Sequence, residues 1–84
     1  MYEVRSSEQV DEQVAHLPAD ALAAFAEARA VLEVAPWSGP SISDTAPDAA
    51  VRFAWFGPDA QRAVFYLVQE RDRLVDLLDV FWVG

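Results

Sequence analysis

Apolar and polar positions change period along the chain. Tyr2-Glu3-Val4-Arg5 alternates, as a strand with one covered face does, and Ser6-Ser7 then opens a helix whose Glu8 and Gln9 reach back toward its first turn. Val10, Val14 and Leu17 follow at helical spacing, with Asp11, Glu12 and Gln13 between them on the solvent side. Pro18 and Asp20 suit the first turn of a second helix, predicted to run to about Val34. Its inner face reads Leu22, Phe25, Arg29 and Leu32, and its many alanines allow close approach of another element; Pro36 closes it.

From Pro36 to Asp48 the period disappears into turn-forming residues. So long a connection in a small domain needs an anchor, and Trp37 is the expected one, as a core plug or as a ligand-stacking ring. Three β-rich segments follow: Ala50–Phe56, Arg62–Gln69 and Leu74–Val83. They are separated by Gly57-Pro58-Asp59-Ala60 and Glu70-Arg71-Asp72-Arg73, which predicts an antiparallel meander. The expected fold is α+β, a single domain over residues 1–84 with two N-terminal helices packed on an antiparallel sheet in the order β-α-α-β-β-β.

These strands are apolar on both sides. By parity, Val51, Phe53 and Trp55 oppose Ala54 and Phe56; Val64, Tyr66 and Val68 oppose Ala63, Phe65 and Leu67; and Leu74, Leu78, Val80 and Trp82 oppose Val75, Leu77, Phe81 and Val83. Two short helices cover one face, so an aromatic patch is expected on the other, with Trp55, Phe56, Tyr66, Phe81 and Trp82 as candidate partner-binding residues.

Composition narrows the chemistry. Fourteen acids stand against six arginines and no lysine, for a net charge of −8, and a field of that sign repels phosphate backbones. The imbalance concentrates in residues 1–46, with eight acids and two arginines; residues 47–84 carry six and four, so an anion site belongs in the second half. The absence of cysteine fits a reducing cytoplasm, and neither a targeting nor a membrane-spanning segment is expected. Asp72, Asp76 and Asp79 have no metal-ligand spacing, and three scattered glycines cradle no phosphate, so neither metal nor cofactor is expected. Asp76 and Asp79 interrupt the last strand on opposite faces by parity, where Arg52 or Arg29 is expected to pair with one of them. His16, the lone histidine, sits at the end of the first helix, where a surface or capping role is expected.

The order of elements resembles that of the RelE/ParE superfamily of bacterial toxins, and so do local stretches. They are the opening strand and Ser-led helix in Tyr2 to Glu8, the Leu17-Pro18 joint between helices, the Arg-bearing strand at Val51-Arg52-Phe53, the Val64-Phe65-Tyr66-Leu67-Val68 strand, and the final core strand Arg73 to Trp82. The resemblance implies the toxin of a toxin–antitoxin module, with an antitoxin as protein partner, and the aromatic patch would equally be satisfied by a second copy of the chain. Its RNA-cutting relatives set basic residues on the meander, and the candidates here are Arg52 and Arg62. Arginine stays protonated, so these two suit phosphate neutralisation but not the role of general base. The late basic residue of those relatives falls near Trp82-Val83, which is apolar. Three readings follow: a toxin acting through protein contacts, a weak ribosome-dependent endoribonuclease using Arg52 and Arg62, and a non-toxic interaction domain. A joint phosphate site requires the two arginines on one face, which holds only if Phe56 pairs with Arg62 rather than with Gln61.

Overall fold

A computed structural model describes residues 1–41, 49–57 and 61–82, the last of these by its backbone. In chain order the elements are β1 (Glu3–Arg5), α1 (Glu8–Ala15), α2 (Ala19–Val34), a 3-10 turn (Pro36–Ser38), β2 (Val51–Phe56), β3 (Arg62–Gln69), a second 3-10 turn (Glu70–Asp72) and β4 (Leu74–Trp82). Residues 42–48 of the long connection, residues 58–60 of the first meander turn, Val83 and the Trp82 side chain lie outside the described residues. No described helix is long and apolar enough to cross a membrane.

The four strands form one sheet in the order β1-β4-β3-β2. The β2-β3-β4 meander is antiparallel, as the short polar turns require, while β1 returns beside β4 in parallel, so the sheet is mixed. Phe56 pairs with Arg62. Between β3 and β4 the register shifts: Phe65 faces Asp79 and Tyr66 faces Leu77, which leaves Leu78 as a bulge. That extra residue reverses the alternation expected for the second half of β4. Val75, Leu77 and Val80 share the inner face, and Asp76 and Asp79 share the outer one, a correction to the parity reading of both groups.

Both helices cover the inner face. The core joins Val10 of α1, Phe25 and Leu32 of α2, Tyr2 and Val4 of the N-terminal segment, and Phe56, Val64, Tyr66, Val68, Val75, Leu77 and Val80 of the sheet. Phe25 meets Phe56 edge to face, with centroids 5.4 Å apart. Along α2 the buried stripe is Ala21, Phe25 and Leu32, flanked by Ala24 and Ala28, and Leu22 is 45% exposed. Leu22 therefore leaves the predicted inner face: residues 21, 25, 28 and 32 form the 3.6-residue stripe, and Leu22 stands one residue, about 100°, away. Alanine supplies the close contact because it lets the helix axis approach the sheet.

Local chemistry fixes the joints. Ser7 caps α1 by accepting from the Val10 amide at 3.2 Å. The long connection is anchored at both Pro36 and Trp37: Pro36 is buried and its carbonyl accepts from the Tyr66 hydroxyl at 2.6 Å, while Trp37, 37% exposed and so not a core plug, donates to Glu70 at 2.7 Å. Gly39 passes so close to β2 and β3 that a Cβ there would stand 2.3 Å from the Tyr66 hydroxyl and 2.5 Å from the Phe53 carbonyl oxygen. The fold thus requires glycine at that crossing.

Candidate protein-binding face and adjoining cleft

The sheet face turned away from the helices carries a row of aromatic rings. Phe53 of β2 sits opposite Phe65 of β3, and Trp55 sits opposite Ala63, which in turn sits opposite Phe81 of β4. Ring centroids lie 5.6 Å apart for Phe53–Trp55, 6.0 Å for Phe53–Phe65 and 5.0 Å for Phe65–Phe81. Ala63 is the small residue among them. Its missing bulk leaves a hollow of about 210 Å³ with Ala63 as one wall and Phe53, Trp55, Phe65 and Phe81 as the others. Trp55 is 48% exposed and Phe81 36%, so both rings reach solvent.

Phe81 also lines a larger cleft of about 530 Å³ between α1 and the β3–β4 end of the sheet, together with Gln9, Glu12, Gln13, His16 and Arg62. Here β4 extends past the three-residue β1, and α1 takes over the open edge. The Gln13 amide does this with both of its ends: its oxygen accepts from the Val80 backbone N–H at 2.9 Å, and its nitrogen donates to Asp79 at 2.7 Å. Gln9 adds a longer contact of 3.4 Å to the same carboxylate oxygen. The His16 Nδ1 stands 2.8 Å from the Glu12 carbonyl oxygen, where it donates as the ring caps the end of α1.

The expected partner-binding residues divide between the faces. Trp55 and Phe81 stand on the open face, whereas Phe56 and Tyr66 are buried beneath α2, 5% and 0% exposed, and present nothing to a partner. The Phe56–Arg62 register puts Arg52 and Arg62 on one face, yet it is the helix-covered face, and it does not bring them to one phosphate. Four residues of ladder, roughly 13 Å, separate their attachment points. Arg52 is 8% exposed and committed to the connection, donating to the carbonyls of Gly39 at 2.7 Å and Ala49 at 3.1 Å, with its guanidinium 5.2 Å from the Trp37 ring centre. Arg62, 7% exposed, borders the cleft instead.

Neither Arg52 nor Arg29 pairs with the strand carboxylates as expected. Arg29 donates to the Val4 carbonyl at 3.0 Å and ties α2 to β1, while Asp76 pairs with Arg5 at 3.2 Å and accepts from Gln69. The parallel strand β1 brings Arg5 to that place, so a long-range pairing decides it. Glu70 gathers Tyr2, Trp37 and Arg73. The hydrogen bond from Tyr2, then that from Trp37 and the Arg73 charge, hold its carboxyl below the ordinary carboxylate value. Among the described residues no cluster of three or more His, Asp or Glu side chains is placed to hold a metal. Gln13 and Ala63 escaped the sequence reading. A glutamine on a polar helix flank and an alanine in a strand carry no local signal of an edge cap or a socket.

By sequence, no family model and no curated protein matches the chain. By structure the match is close. The isolated RelE toxin of E. coli superimposes with a TM-score of 0.79 over 100% of this chain and 86% of its own, at 9% identity. The archaeal RelE of the RelE–RelB complex from Pyrococcus horikoshii superimposes with a TM-score of 0.72 over 99% of this chain and 96% of the other, at 20% identity. Two helices packed on one side of a four-stranded sheet therefore give this chain the fold of the RelE toxins.

Proposed function

We propose that this protein is the toxin-like component of a bacterial toxin–antitoxin module and acts in the cytoplasm through protein contacts made by its open sheet face. The observation that carries this reading is the solvent-exposed aromatic socket of Trp55, Phe81 and Ala63 on a RelE-like fold. The Pyrococcus structure is a RelE–RelB complex, and a protein partner of that kind is the natural occupant of such a face. The two arginines proposed for RNA chemistry do not support a strong nuclease, because one is spent on the chain's own carbonyls and the other lies apart from it.

The test is induced expression in a bacterium, with and without the protein encoded beside it. Growth arrest that the neighbour relieves, that Trp55→Glu abolishes, and that leaves messenger RNA uncut is the expected outcome. Absence of any growth effect selects the non-toxic interaction domain instead.

One observation favours a second reading, a ribosome-dependent endoribonuclease. Arg62 shares its cleft with His16 and Glu12, a cation beside two groups able to move a proton. Messenger RNA cleavage lost in Arg62→Lys and His16→Gln selects that reading.

A further inference from the structure

The open face has a direction and a charge. Its apolar end is the socket around Ala63, and Phe81 is a wall both of that socket and of the cleft under α1, which lies on the covered side of the β4 edge where Arg62 and Val80 line it, so a track that rounds the edge at Phe81 joins the two hollows. Beyond Phe81 the track turns acidic. Glu12 lines the cleft, and Glu8 stands exposed one turn before it on the same helix, whose eight residues include no basic side chain. The Asp79 carboxylate lies beside Glu12's helix, held by the neutral amides of Gln9 and Gln13. The cation of the cleft, Arg62, is 7% exposed and sits low in it.

We infer that the segment docking on this face is basic and amphipathic, with an apolar side chain in the Ala63 socket and Lys or Arg side chains over Phe81 against the acidic flank of α1. The inference rests on the reading of this face as a partner surface. It chooses between occupants by charge complementarity. A second copy would bring another net charge of −8 and another acidic α1, and nucleic acid would bring phosphates to the same acids. Opposite charges placed within a Debye length of about 8 Å at physiological salt steer and orient the basic segment instead.

Two synthetic peptides decide the matter. They share one helical pattern of Leu and Trp and differ only in their polar positions, which are Lys and Arg in one and Glu in the other. In fluorescence anisotropy the basic peptide is expected to bind saturably, more weakly at high salt, and the acidic peptide to show at least about tenfold lower affinity. Trp55→Glu and Ala63→Leu, with helix content checked by circular dichroism, are each expected to lose about tenfold or more. A purely non-specific attraction moves the other way for Trp55→Glu, because that variant adds a negative charge. The double variant Glu8→Gln/Glu12→Gln is expected to flatten the salt dependence.

Four results overturn the inference: equal or tighter binding by the acidic peptide, no saturable binding by the basic one, binding that strengthens in Trp55→Glu, or a dimer in light scattering that Trp55→Glu dissociates. The first overturns the charge assignment alone and leaves the protein-partner function standing, since that function is judged by growth arrest and its relief.

Discussion

Tyr66 shows how much one side chain can organise. It is fully buried on the inner face, and its hydroxyl donates to Pro36, so the ring belongs to the core while the oxygen holds the start of the long connection. Tyr66→Phe keeps the packing and orphans a buried carbonyl, with an expected loss of about 1–3 kcal/mol in chemical denaturation. Burial raises the pKa of this hydroxyl above its ordinary 10.0, opposed by the Arg52 charge and by hydrogen bonding with the Gly39 backbone. An acid raised in the folded state stabilises the fold only while protonated. Stability is therefore expected to fall as pH rises above about 10, and Tyr66→Phe to flatten that slope. On α2 the corrected helix phase gives a paired test. Phe25→Ala, under α2 and against Phe56, is expected to cost about 3–5 kcal/mol. Leu22→Ala, on the exposed flank, is expected to stay within about 0.5 kcal/mol.

At the scale of elements, the molecule manages an exposed strand edge without adding a strand. β1 covers only residues 74–76 of β4, and α1 lies along the rest, with Gln13 supplying the acceptor that a strand would have supplied. Gln13→Ala removes the bond to Val80 and one donor to Asp79, with an expected loss of about 1–3 kcal/mol and faster exchange of the Val80 amide proton. The turn between β3 and β4 has its own staple in Glu70, whose carboxyl is depressed by the hydrogen bonds from Tyr2 and Trp37 and by Arg73. A depressed carboxylate contributes above its unfolded pKa of about 4.5 and stops contributing as pH falls through its lower folded value. Acid titration is expected to release Trp37 below the ordinary carboxylate range. Trp37 fluorescence, isolated by comparison with Trp37→Phe, reads the transition, and Glu70→Gln is expected to abolish it.

For the whole molecule, charge sets the kinds of partner available. At −8 the protein gains little counterion release from a phosphate backbone, and Arg52, the more obvious phosphate ligand, is already held by Gly39 and Ala49. Negligible binding to naked RNA or DNA at physiological salt is the expected result by anisotropy, and micromolar binding with a steep salt slope contradicts it. The same acidity stands beside an aromatic sheet face that no described helix covers, and the proposed protein-partner role rests on that pairing. A sheet with helices on one side has a second side, and Trp55 and Phe81, 48% and 36% exposed there, are the rings on which the proposed docking is to be tested.

The sequence by itself determined what local period and turn chemistry can specify. The strand segments were legible within a residue or so, as were both helices and the meander, because alternation, capping by Ser7, and proline at residues 18 and 36 act within a few residues of themselves. That the strands were apolar on both sides was legible too. Which residues belong to which side was not: the bulge at Leu78 is a register choice between two chains of atoms distant in sequence, and it moved Asp76 and Asp79 to the same face. Tertiary structure also decided that β1 runs parallel beside β4, which delivers Arg5 to Asp76, and that Phe56 and Tyr66 are core while Trp55 and Phe81 remain outside. The socket at Ala63 exists only because three strands bring Trp55, Ala63 and Phe81 into one line. Side-chain period is a property of one strand; the identity of the covered face is a property of the sheet and of the helices that choose a side.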